Sequence, residues 1–209
     1  MRRAAVGIGL STLVLLLSAC IGVESNVTFK NDGSGTLKLE YRISKALIEM
    51  GKEGGGETPL PFSEEELREA VEGNPKVELL DLSQREDEQD VYIVSEFGFH
   101  RIEDFTDIQE FDDMPMSLER AGGENTFRML ISEGNGGGEE TAEETDAELQ
   151  AMFEQMFAGY EIIVVVNAPS PVKSHNLGEL SPDGRTVRYS LPILDMEALE
   201  EQTVLTVVW

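Results

Sequence analysis

The side chains able to do chemistry here are few in kind: two histidines, one cysteine and 41 carboxylates. His100 stands beside Arg101, Glu103 and Asp104, and His175 lies between Ser174 and Asn176. A zinc centre asks for three or four nitrogen or sulfur ligands, or for two histidines one helical turn apart, and the sequence offers neither. A serine nucleophile would be marked by a G-x-S-x-G elbow, which is absent, and two isolated histidines assemble no triad. Any two of the carboxylates could be nominated for acid–base work, so their abundance singles out no pair; only separation and burial would reveal one. No nucleotide, metal or other cofactor motif is present.

The cysteine is more informative. Arg2 and Arg3 precede an apolar stretch, residues 4–17, that is short for a membrane span and has the layout of an export signal. The stretch ends in Leu17-Ser18-Ala19-Cys20. This run resembles the lipobox of bacterial lipoproteins, in which small residues fit the signal peptidase and the cysteine thiol takes a diacylglycerol, commonly joined by a further palmitate-like chain. Residues 1–19 are therefore expected to be a removable leader and Cys20 the lipidated first residue. Two or more acyl chains hold a protein stably on a membrane where one does so marginally. Cys20 is the only cysteine, so the exported chain gains no disulfide and depends on burial for its stability. The expected location is the outer side of a cell membrane, anchored by lipid.

Charge narrows the partners. The chain carries −25, and −27 once Arg2 and Arg3 leave with the leader. Nucleic-acid binding depends on lysine and arginine neutralising phosphates, so a nucleic-acid partner is not expected. The acidity is partly local. Residues 133–147, EGNGGGEETAEETDA, are glycine-rich and lack apolar periodicity, which describes a flexible acidic loop, and residues 52–58 are a shorter stretch of the same kind. Neither has the ligand spacing of an EF-hand.

Residues 20–26 are expected to form a short tether and residues 27–209 a single domain. Val27 and Phe29, then Leu37, Leu39, Tyr41 and Ile43, alternate with polar residues around the turn NDGSG and predict a hairpin. Short helices are predicted at 45–50 and, behind the capping pair Ser63/Glu66, up to Gly73. Residues 77–82 and 91–99 predict a second hairpin, with Val91, Ile93, Phe97 and Phe99 on one face and Glu96 and His100 on the other. Phe105, Ile108 and Phe111 predict a third helix, and 127–132 a strand. Thr145 and Glu148 cap the clearest amphipathic helix, in which Leu149, Met152, Phe153, Met156 and Phe157 fall on one stripe. That stripe is either a core face or, through its methionines, an adaptable apolar ligand surface. A strand at 161–167, a hairpin around Pro182-Asp183-Gly184, a helix at 195–201 and a final strand at 203–209 complete the chain. Hairpins alternating with helices predict an α+β domain, an antiparallel sheet with helices packed on one face. Because the tether is short and the domain strongly negative, the surroundings of the first strand's start are expected to be poor in carboxylates.

With these segments placed, the chain resembles the LppM-type bacterial lipoproteins. The resemblance lies in the lipobox followed closely by VTFKNDGSGTLKLEYRIS and in VVVNAPSPVKSHNLGELSPDGRTVRYSLPI near the C-terminus. It implies an envelope-anchored α+β domain with no assigned reaction and carries over no catalytic residue. Many such proteins have a C-terminal membrane helix after the last strand, whereas this sequence stops at Trp209, which makes the N-terminal lipid the expected anchor. Three functional classes follow: a noncatalytic module binding a protein partner or an apolar ligand, which the residues favour; an enzyme with an unmarked carboxylate site; and a surface-exposed adhesion or interaction protein.

Overall fold

A computed structural model describes residues 21–53, 64–72, 74–108, 111, 114–134 and 157–209. Eleven strands form two sheets among these residues. The first hairpin joins β1 (Ile21–Phe29) to β2 (Gly35–Ser44). Two short helices follow, α1 (Lys45–Glu53) and α2 (Glu64–Glu72), before β3 (Val77–Glu86) and β4 (Asp90–Phe99). Next come β5 (Met116–Ala121), β6 (Glu124–Ser132), β7 (Glu161–Asn167), β8 (Ser174–His175), β9 (Glu179–Leu180), β10 (Thr186–Pro192) and β11 (Thr203–Val208). The larger sheet runs β3-β4-β2-β1-β7-β10-β9 and the smaller β5-β6-β11-β8. Every pairing is antiparallel except β1 with β7, where Val23 lies beside Ile162 and Val27 beside Val166.

This corrects the expected single sheet with helices on one face. A second sheet lies over the larger one: Phe29 of β1 meets Phe127 of β6 at 5.2 Å and Trp209, beyond β11, at 5.1 Å between ring centroids. Two features account for the difference. The hairpin β5–β6 turns at Gly122 and Gly123, both at positive φ (64° and 82°), and supplies strands where none was expected before residue 127. The helix expected from Phe105, Ile108 and Phe111 is instead a chain of three-residue turns. A 3-10 helix covers Ile102–Asp107, and the N–H groups of Ile108, Phe111 and Met114 donate to the carbonyls of Phe105, Ile108 and Phe111. A strict period of three suits the 3-10 geometry, which places every third side chain on one line. Ile102, Phe105, Ile108 and Phe111 are accordingly all buried. The helix expected at 195–201 is likewise a 3-10 segment, Ile193–Ala198.

Alternation along the strands divides the larger sheet into two faces. Val27, Leu37, Leu39, Ile43, Phe97, Val164, Val166 and Val187 point inward and are buried. Glu24, Lys38, Glu40, Arg42, Glu96 and Arg188 point outward. A bulge between Leu79 and Asp81 inserts one residue into β3, and Leu80 is turned out over Gly98. The sequence places a tether at 20–26, yet β1 begins at Ile21 and pairs with β2 from that residue onward. Nor is the start of β1 poor in carboxylates, since Glu24, Glu40 and Glu161 line a shallow pocket there with Gly22 and Arg42.

Candidate functional site

Two polar centres lie on the outward face of the larger sheet, at opposite ends of β1. The first is organised by Asp90, which opens β4 and whose side chain is 2% exposed. Arg42, reaching across from β2, donates from Nε to Asp90 Oδ2 at 2.7 Å, and the Tyr160 hydroxyl donates to Oδ1 at 2.5 Å. Arg42 Nη1 also donates to the Gly159 carbonyl at 3.2 Å, and its guanidinium carbon lies 4.7 Å from the Tyr160 ring centroid. The buried carboxylate thus joins β2 and β4 to the residues that lead into β7. Burial, and then the hydrogen bond to Asp90, push the Tyr160 hydroxyl up to about 12. A group whose folded pKa is raised contributes stability that is complete below its ordinary value near 10 and is lost as pH climbs through about 12.

The adjoining β3–β4 turn is held by Asp87. Its carboxylate accepts from the Asp90 N–H at 2.8 Å, the Gln89 N–H at 2.9 Å and the Tyr92 hydroxyl at 2.9 Å. These donors, the two backbone groups first, lower its pKa to about 2. A depressed carboxylate contributes stability above its unfolded value and loses it as pH falls. An NMR titration is therefore expected to show the Asp87 carboxyl still ionised at pH 3 and protonating near pH 2; a midpoint close to 4 would mean that the turn is open.

The second centre is a cleft of about 280 Å³ at the far end of β1. Thr36 of β2 pairs with Gly98 of β4, and Gly98 pairs with Glu78 of β3, so the floor is a row of backbone with one side chain missing. Lys30, Lys76 and His100 stand around it, and Leu80 and Pro75 supply apolar wall. Gly35 is required here by close approach, because a Cβ would collide with the Thr28 carbonyl oxygen. Lys76 is held by Asp107 at 3.1 Å and Asp104 at 3.7 Å. Asp104 is itself buried, accepts from the Arg101 N–H at 3.2 Å, and has its carbonyl fixed by Asn74 Nδ2 at 2.9 Å. The cleft can therefore seat a polar or charged side chain against a partly apolar wall.

Cys20, Leu17, Ser18 and Ala19 lie outside the described residues, as do Leu149, Met152, Phe153 and Met156 of the amphipathic stripe and most of the acidic loop. Phe157, the last of the stripe, is 5% exposed and belongs to the core. The histidines are well apart in role: His100 borders the cleft, whereas His175 belongs to β8 and donates from Nδ1 to the Leu177 carbonyl at 3.1 Å. Among the described residues no group of three or more histidine, cysteine, aspartate or glutamate side chains is placed to hold a metal, and no helix is long and apolar enough to cross a membrane. Every buried side-chain polar atom among them has a partner. Sequence reasoning missed Arg42, Asp90 and Tyr160. They are 48 and 70 residues apart, and only the strand register joins them.

No family model and no curated protein sequence matches the chain. Among solved structures, it is similar to the folded domain of LppM from Mycobacterium tuberculosis, determined by NMR. The TM-score is 0.45 and the identity 10%, over 91% of this chain and 89% of that one.

Proposed function

We propose that the chain is a noncatalytic module of the bacterial envelope, lipid-anchored through Cys20, that recognises a protein partner through its surface. The observation that carries this reading is how the interior is occupied. Phe97, Phe105 and Phe111 interlock at 4.9–5.8 Å between ring centroids, and Phe29 closes on Phe127 and Trp209 at the adjoining end. The described space between the sheets is thereby filled with side chains, and recognition falls to the outside. The two carboxylates buried among the described residues, Asp90 and Asp104, are each engaged by structural donors within the fold. The cleft bordered by Lys30, Leu80 and His100 mixes charge, hydroxyl and a small apolar wall, the texture of a protein-contact surface.

A photoreactive amino acid introduced at Thr36, exposed to light in intact cells, is expected to give a discrete protein adduct. Adducts to lipid alone would contradict the protein-partner reading and favour an apolar ligand instead. The adduct should weaken when Lys30→Glu is combined with the probe, because reversing a charge at the rim of an interface slows association.

A further inference from the structure

The larger sheet has two distinct ends, and the exposed apolar side chains are divided between them. Leu80, Leu180 and Leu194 are the large apolar residues left exposed among those described, at 49%, 41% and 44%. Leu80 lies over Gly98, and Gly98 pairs with Thr36 and Thr36 with Thr28. Leu180 pairs with Val187, Val187 with Val166 and Val166 with Val27. Both therefore stand level with the last residues of β1. Leu194 stands at the opposite end. Pro192 pairs with Glu161, which directly precedes the partner of Val23, and the Ile193 N–H donates to the Tyr160 carbonyl at 3.0 Å.

We propose that the end of the larger sheet where β1 begins rests on the headgroup layer of a bilayer, with Leu194 as its apolar contact. This inference rests on the reading of Cys20 as the lipidated residue. Cys20 directly precedes Ile21, and Ile21 is already paired with Ile43, so a single Cα step of about 3.8 Å separates the acyl-bearing residue from the sheet. That length allows no leash. β1 is the fourth of seven strands, so the anchor leaves from the middle of the sheet end and brings the neighbouring strand ends down with it. The opposite end, with the cleft of Lys30 and His100, then stands about 26 Å farther out along the eight steps of β1.

The charge at the docked end selects the lipid. Glu86 pairs with Val91, and Val91 with Ile43, so Glu86 lies level with Ile21, where Lys45 offsets its charge at 3.2 Å; Asp87 and Glu88 continue into the turn beyond it and leave the rim acidic. Glu161 and Asp195 are at the same end. Anionic headgroups repel such a rim within a Debye length, roughly 8 Å at physiological salt. The bilayer that fits is zwitterionic, and added anionic lipid tilts the rim at Leu194 away from the headgroups about the short anchor.

The test uses the full lipidated chain in phosphatidylcholine vesicles that carry a nitroxide on a fraction of the headgroups. A thiol-reactive fluorophore is placed at Leu194→Cys, Leu80→Cys or Leu180→Cys, the Cys20 thiol being already consumed as a thioether. Quenching at position 194 is expected to exceed that at 80 and 180 several-fold and to fall when anionic lipid replaces part of the phosphatidylcholine. Equal quenching at the three sites, or more at 80 and 180, overturns the orientation. Should Leu194→Cys disturb its corner, Glu88→Cys reports on the same end and carries the same expectation. The mass of the N-terminal peptide is read on each preparation. An unmodified Cys20 overturns anchor and orientation together, whereas a lipidated Cys20 with uniform quenching overturns the orientation alone.

Discussion

Phe97→Ala is expected to lower the unfolding free energy by about 3–5 kcal/mol, the range for truncating a fully buried aromatic ring. Phe97 is fully buried on β4, between β2 and β3 on the inward face of the larger sheet, and its ring meets Phe105 and Phe111 edge to face at 5.8 and 5.4 Å. Those two rings also brace each other at 4.9 Å and sit on a chain of hydrogen-bonded turns, so neither can swing in to fill the space left behind. The lost transfer energy is therefore joined by the cost of a surviving cavity. Leu80→Ala is the matched control, because an exposed leucine should change stability by no more than about 0.5 kcal/mol. Denaturant melts decide it: a Phe97→Ala loss below about 1 kcal/mol would mean that the interior is loosely filled and open to an apolar ligand.

Arg42→Leu is expected to be the next most costly change, at about 2–3 kcal/mol. Breaking a buried ion pair from one side costs about 3–5 kcal/mol when the orphaned charge is sealed from water. Asp90 is so sealed, at 2% exposure, but the Arg42 side chain is 37% exposed, and water entering where it stood recovers part of the loss. The Tyr160 hydroxyl would remain as a donor to the carboxylate. Replacing both members, Arg42→Leu with Asp90→Leu, should restore most of the stability, since no buried charge is then left alone. A double variant as unstable as the single one would show that the centre acts through geometry that leucine cannot supply and not through charge compensation.

How far these features are legible in the amino-acid order depends on how local their causes are. The span of β7, Glu161–Asn167, and the turn at Pro182-Asp183-Gly184 follow from an apolar run and from Asp-Gly chemistry, both contained within a few residues. The outward direction of Lys30, Glu96 and His100 also follows from alternation alone. The fold departs from local pattern in two physical ways. Phe105, Ile108 and Phe111 are spaced for a three-residue repeat, which an α-helix and a 3-10 path satisfy nearly equally over so short a stretch; the backbone took the second. Hairpins announce which neighbours pair, but not which sheet each hairpin joins. The parallel contact of β1 with β7 and the separate sheet formed by β5, β6, β11 and β8 are therefore invisible to local pattern. The same non-locality hid the Arg42, Asp90 and Tyr160 centre and the cleft at Thr36 and Gly98, because both are made by register across strands.

The anchor is tested most directly by Cys20→Ser in cells fed radiolabelled palmitate, with the membrane and soluble fractions separated afterwards. Lipidation at Cys20 predicts label on the native chain in the membrane fraction, and an unlabelled chain released from it when the thiol is replaced by a hydroxyl. Label that persists on the Cys20→Ser chain, or a native chain that carries none, would contradict a lipid-anchored module at its root.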